Sequence, residues 1–188
     1  MNPSPFDVLG LAPTFALEAQ ALEQKLFEAS LQWHPDRFAL APEAERLDAE
    51  DRMAAINQAH DQLVDPLNRA EVLLNAVRQL SSADGNGNEL DQNDPASSSA
   101  ARNADPAFLM AMMELREEVE VALQTGATSD EALQMQQKLK QQETQVLQEF
   151  GELWLQSAPI EKLQRPYEHA RYLRSSRMQL EQAMHSNP

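Results

Sequence analysis

The chain has 188 residues and carries 30 acidic against 15 basic side chains, a formal net charge of −15. Residues 1–80 hold 6 basic and 13 acidic groups, residues 81–104 hold 1 and 4, and residues 105–188 hold 8 and 13, so every segment is acidic. A phosphate backbone or an anionic bilayer is repelled along the whole length, which sets nucleic acid and membrane aside as partners.

Cysteine is absent, which excludes disulfides, thiolate metal sites and a cysteine nucleophile. The four histidines, His34, His60, His169 and His185, lie too far apart to form a local zinc motif, and no metal or cofactor is expected. The 27 alanines against seven valines and two isoleucines favour helix over strand. No apolar run approaches the roughly 20 residues of a membrane span. The N-terminus Met-Asn-Pro-Ser-Pro-Phe lacks the basic region of a secretory signal and the arginines of a mitochondrial presequence. The expectation is a soluble, cytoplasmic, all-α protein, read as a monomer.

The first elements follow from apolar spacing. Phe6 to Leu11 predicts a short apolar turn closed by Gly10 or Pro13. Leu22, Leu26, Ala29 and Trp33 recur at 4, 3 and 4 residues, one stripe of a helix over 17–33. His34-Pro35 ends it, because a residue preceding proline is pushed out of the α region. A third helix is expected from about Glu43 to Val64, with Met53, Ile56, His60 and Leu63 on one face. Asp65-Pro66 stops it and starts a fourth, with Leu67, Ala70, Leu74 and Val77 in register. Two long helices joined by a loop suggest an antiparallel hairpin.

Ser81 to Ala104 breaks the pattern, with two of the five glycines, five serines and almost no large apolar residue. Such a composition cannot bury enough surface to offset its ordering entropy, and it reads as a flexible tether. It divides the chain into residues 1–80 and residues 105–188. Beyond it, Asp105 suits an N-cap and Pro106 the first helical position, opening a helix to about Gln124. Gly126 suits a left-handed C-cap, and Thr128 with Glu131 forms a capping box for a long helix to about Gln156. A last helix carries Leu163, Ala170, Leu173 and Leu180, with Pro166 at a kink or a late start. Short connections make these an antiparallel three-helix bundle.

His34-Pro35-Asp36 lies between two amphipathic helices in the setting WHPDRF, after FDVLGL and before INQAHDQLVDPLNRAEVLL at residues 56–74. In that context the first piece resembles a J-domain, the module by which co-chaperones stimulate the ATPase of DnaK-type chaperones. The RAEVLL segment (Arg69 to Leu74), AFLMAMMELREEVE (Ala107 to Glu120) and LRSS (Leu173 to Ser176) extend the resemblance to the HscB family of iron–sulfur cluster assembly. The block from Phe108 to Glu118 is its most specific feature. The family implies two partners, the specialised chaperone HscA and the cluster scaffold IscU. It also implies no catalysis and no bound cofactor. The absence of a zinc-binding cysteine extension implies a bacterial form.

The resemblance assigns chaperone binding to His34, Pro35 and Asp36, with Lys25 and Arg37 as the basic contributors. Physically, Pro35 fixes the loop and Asp36 offers a carboxylate to a basic residue of the chaperone, a charge-assisted contact that one mutation removes. The tripeptide can also act only as a helix terminator. A hydrolytic His34–Asp36 dyad is a rival from another class, but it lacks a nucleophile. The basic face that J-domains usually carry on their second helix is reduced here to Lys25, against Glu18, Glu23 and Glu28, and Leu31 stands where a basic residue is usual.

For the second piece, the resemblance assigns client binding to Leu109, Met110, Met113, Glu114 and Glu117, which share one helical strip, although a stripe of this kind can also be plain core. Phe108, Met112, Leu115 and Val119 are expected in the core. Val121 replaces a further acidic position, and His169 replaces an aromatic one for which Tyr167 or Tyr172 could substitute unless they are core. Asn57, Arg69 and Ala70 read as fold residues, with Arg69 expected to pair with an acidic group across the domain. His60 reads as a core-edge histidine. A J-domain co-chaperone serving a different client is the alternative reading.

Overall fold

The computed structural model describes residues 3–83, 106–124 and 130–186. Among them are seven α-helices, one 3-10 turn and no strand, as the scarcity of strand formers predicts. The chain divides into two units, Met1–Leu80 with Trp154–Ile160, and Ser81–Leu153 with Glu161–Pro188.

In the first unit α1 is Pro5–Leu9, a helix too short to persist without caps. Ser4 Oγ accepts from the Asp7 amide at 3.2 Å, and Asp7 returns the favour by accepting from the Ser4 amide at 3.0 Å. That reciprocal box holds the Asp7 carboxyl below its usual range, the Ser4 hydroxyl hydrogen bond contributing most. Gly10 closes the other end with φ 64°, a left-handed conformation in which a side chain would be strained. Phe6 and Leu9 are thereby aimed into the core.

Helix α2 spans Ala19–Trp33 and α3 spans Glu43–Val64. They run antiparallel: Glu23 of α2 meets His60 of α3 at 3.3 Å, while Trp33 lies under the Arg52 guanidinium at 4.0 Å. As the number rises on one helix it falls on the other. Helix α3 is the platform, since α1, α2 and the 3-10 turn all pack on it. It contributes Ala49, Ile56, Ala59 and Leu63 to the core, an i, i+7, i+10, i+14 series. Leu22 is the buried anchor of α2, and the rest of its stripe is half-buried. Asn57, expected as a fold residue, is exposed on α3.

Asp65 breaks the chain between α3 and α4 (Pro66–Ala83), its carboxylate accepting from the Leu67 and Asn68 amides at 2.9 Å each. Arg69 is buried where that corner forms. It donates to the Leu63 carbonyl at 2.8 Å, the Val64 carbonyl at 3.3 Å and the Phe15 carbonyl at 2.8 Å. The group it reaches across the domain is thus a carbonyl and not the expected carboxylate. One cation satisfies the last acceptors of α3 and pins the approach to α2. Burial lowers its pKa and the Asp65 charge opposes that fall.

The second unit is built from α5 (Pro106–Gln124), α6 (Asp130–Leu155) and α7 (Ile160–Ser186), apart from the Trp154–Ile160 junction of the last two, which groups with the first unit. Their directions follow from side-chain contacts. Gln136 of α6 meets Glu181 of α7 at 2.9 Å while Glu143 meets Arg174 at 2.7 Å, so these two are antiparallel. Phe108 of α5 meets His169, and the Tyr172 hydroxyl donates to the Met112 carbonyl at 2.9 Å, so α5 and α7 run the same way. This is an up-down-up bundle. Leu139, Phe150, Ala170, Leu173 and Leu180 fill its core. Pro166 lies inside α7, in its second turn, and is neither a helix start nor a break between elements. The expectations at Asp105, Gly126 and Thr128 fall outside the described residues.

Glu143 is a buried carboxylate in this core, held by Arg174 Nη2 at 2.6 Å and Arg177 Nε at 3.4 Å. Arg177 also reaches Glu181 at 2.6 Å. The network satisfies a charge that burial alone would make costly.

Candidate functional site

The site begins where α2 ends. His34 has φ −60° and ψ 128°, extended as the following proline requires. Pro35–Phe38 then forms a single 3-10 turn whose first positions are capped by the His34 ring: Nδ1 accepts from the Asp36 amide at 3.3 Å. An accepting Nδ1 carries no proton, which places the ring hydrogen of the neutral tautomer on Nε2. Nδ1 also lies 3.7 Å from an Asp36 carboxylate oxygen, an ion pair only if the ring is protonated. The Asp36 side chain is 92% exposed. His34 therefore fixes the backbone from which a free carboxylate projects.

Two aromatic residues brace the turn. Trp33 and Phe38 stack with ring centroids 6.1 Å apart and planes 4° from parallel, and Arg52 of α3 covers Trp33. Arg52 is in turn held by Asp48 at 2.9 Å. This clasp was not singled out in the sequence, although its signal is present as the aromatic residues either side of HPD in WHPDRF. The two basic residues assigned to this site are engaged within the chain. Lys25 pairs with Glu28 at 2.8 Å, and the Arg37 guanidinium donates to the Leu31 carbonyl. The Lys25 contact leads the causes that hold Glu28 below the usual carboxylate range.

Helix α5 separates its faces cleanly. Met112, Leu115, Val119 and Ala122 are buried, and Phe108 is half-buried. At about 100° per residue, Leu109, Met110, Met113, Glu114 and Glu117 centre on the opposite side of the helix. Their apolar members remain in water: Leu109 is 45% exposed, Met110 63% and Met113 72%. Glu114 and Glu117 are exposed, and Val121 extends the strip by one more turn. Thioether side chains of this kind adapt to a partner's contour.

Of the aromatic candidates for the client face, Tyr167 is core and Tyr172 is half-buried, its hydroxyl committed to the Met112 carbonyl. His169 meets Phe108 edge-on at 5.6 Å. Its pKa is lowered mainly by burial, with Arg165 in the same sense and Glu149 opposing. His60 stands at the core edge between Glu23 and Asp61, at 3.3 Å and 3.5 Å. Among the described residues no group of three or more His, Asp or Glu is placed to hold a metal ion, and no helix is long and apolar enough to cross a membrane.

An antiparallel hairpin that projects a His-Pro-Asp loop, joined in one chain to a separate three-helix unit, defines a J-type co-chaperone. Residues 104–181 match the family model described as the HSCB C-terminal oligomerisation domain. A co-chaperone HscB homologue of Vibrio atlanticus is 34% identical over 158 residues, covering 81% of this chain and 84% of the relative. A homologue from Vibrio vulnificus is 37% identical over 128 residues, 68% of this chain and 66% of the relative. The structure of HscB from Vibrio cholerae superposes with a TM-score of 0.69 at 27% identity, covering 96% of each chain. Human HscB shares the fold, with a TM-score of 0.73 at 17% identity over 96% of this chain and 81% of that one. The chain belongs to the HscB family, a family of co-chaperones and not of enzymes.

Proposed function

We propose that this protein delivers an IscU-like iron–sulfur scaffold to an HscA-like, DnaK-type chaperone in the cytoplasm and stimulates the chaperone's ATPase, aiding cluster maturation and transfer. The observation that supports this reading is the pairing, in one HscB-family chain, of two exposed faces of different chemistry. One is the Asp36 carboxylate on its rigid turn, suited to a basic group on the chaperone. The other is the Leu109, Met110 and Met113 strip flanked by Glu114 and Glu117, suited to a partly apolar, partly basic client. His34 and Pro35 act by positioning Asp36. Arg37 acts by tying the turn to α2, and Lys25 contributes only if it exchanges Glu28 for a partner group.

The reading is tested by titrating the protein against purified chaperone, with and without scaffold, and following ATP hydrolysis. Stimulation that rises further when scaffold is present is the expected result. Stimulation without any response to scaffold would favour a J-domain co-chaperone for another client. No stimulation at all would remove the assignment.

A further inference from the structure

Helix α2 leaves two large apolar side chains in water: Phe27 is 63% exposed and Leu31 is 56% exposed. They lie four residues apart, about 140° and 180° around the helix from the buried Leu22, so they form one adjacent pair pointing away from α3. Nothing in the hairpin's packing requires them there. Resting on the chaperone-binding reading above, we propose that Phe27 and Leu31 form an apolar anchor that continues the Asp36 site, and that the chaperone meets it with an apolar patch beside the basic group that receives Asp36.

Continuity with the loop is covalent and geometric. The Arg37 guanidinium donates to the Leu31 carbonyl, so the turn bearing Asp36 is fastened to the residue that carries the anchor. A protein interface covers about 800 Å2 per partner, a patch roughly 16 Å in radius. Phe27 lies only six residues before Trp33, about 9 Å of helix rise, so a partner seated on Asp36 is large enough to reach this face.

The charges of α2 make a purely electrostatic docking weak. Lys25 is its single basic residue and is paired with Glu28 at 2.8 Å, while Glu23 meets His60 of α3 at 3.3 Å. The positive groups near this face are Lys25, paired with Glu28, and Arg37, whose guanidinium is held against the Leu31 carbonyl. Aromatic and aliphatic side chains at such positions act as anchors by desolvation, which is insensitive to salt. Docking here therefore depends on one charge-assisted contact at Asp36 and on apolar burial at Phe27 and Leu31.

The test uses the full chain in three forms, wild type, Asp36→Asn and the double variant Phe27→Ser with Leu31→Ser, with steady-state ATPase of a purified HscA-like chaperone as readout. The double variant should raise the half-stimulating concentration at least about tenfold. Its melting temperature and helical circular dichroism should match wild type, because the side chains removed are exposed. Wild-type stimulation should fall less than about tenfold between about 50 and about 300 mM salt. Failure of wild type to stimulate, or full stimulation by Asp36→Asn, would defeat the co-chaperone reading itself. With those controls as expected, a double variant as active as wild type would overturn the anchor alone. So would a lowered melting temperature, a steep loss with salt, or a double variant that loses only self-association.

Discussion

At Asp36 one carboxylate stands in water while its own amide is held by the His34 ring and the turn is flanked by the stacked Trp33 and Phe38, and that contrast separates recognition from folding. Asp36→Asn preserves shape but removes the charge that strengthens a contact to arginine or lysine. It should abolish chaperone stimulation with an unchanged melting curve, and intact stimulation would count against the site. His34→Gln should be nearly as damaging, because the 3.3 Å bond from the Asp36 amide to Nδ1 sets the turn. The tripeptide was legible as a string, since proline after a helix has a fixed meaning. The roles within it were not, because a ring nitrogen capping the next residue but one leaves no periodic trace. Arg69 was illegible for a related reason: its acceptors are backbone carbonyls, which every residue possesses. His169 carries a pH prediction. Its pKa is lowered in the folded state, chiefly by burial beside Phe108, so the unfolded chain binds the proton first. Stability of the second unit is therefore full above the unfolded value of 6.5 and falls as the pH drops through the window below it. Melting temperatures at about pH 7.5 and about pH 5.5 should diverge in wild type and converge in His169→Gln. Equal slopes in the two proteins would show that other groups control the transition.

Helices were the easiest scale to read, because period 3.6 leaves a strong imprint where one face is buried. Helix α3 falls on the expected Glu43 to Val64, and the core of α5 falls on Met112, Leu115 and Val119. Pro166 shows the limit: a proline within a helix costs one hydrogen bond, and α7 tolerates it with Leu163, Tyr167 and Ala170 buried around it. The buried charge at Glu143 was also invisible, since its partners are contributed by another helix. Glu143→Gln should cost about 3 kcal/mol, the low end for a broken buried pair because Arg174 and Arg177 each keep about a fifth of their side-chain surface in water. Chemical denaturation measures it, and a cost below about 0.5 kcal/mol would assign the network to the surface class. The exposed strip of α5 makes the opposite prediction. Replacing Leu109, Met110 and Met113 together by alanine opens no cavity, so stability should shift little. Client affinity should fall steeply, by roughly 2 kcal/mol for each side chain that is a hot spot. Were they packed inside, each truncation would cost about 2–5 kcal/mol of folding stability. A collapsed melting temperature, or client binding at wild-type strength, would identify the strip as packing.

The whole molecule raises a question that neither unit answers: why one chain carries both faces. Tethering converts the second encounter into an intramolecular one, with an effective client concentration at the chaperone in the millimolar range for a short flexible connection. The composition of Ser81–Ala104 makes it our proposal for that tether, although α4 runs on to Ala83 and residues 84–105 fall outside the described residues. If its role is connection alone, its sequence is immaterial and its covalent continuity is essential. Replacing residues 84–104 with a glycine–serine segment of equal length should leave basal and scaffold-enhanced ATPase stimulation unchanged, because such a chain spans a similar mean distance. Inserting a protease site there and cleaving should preserve the Asp36-dependent basal stimulation and remove the scaffold enhancement, since avidity gains of about 100-fold or more vanish with the link. Loss of enhancement in the uncut glycine–serine protein, with both units still melting as in wild type, would show that residues 84–104 contribute contacts of their own. Enhancement that survives cleavage would show that the two units act without being tethered.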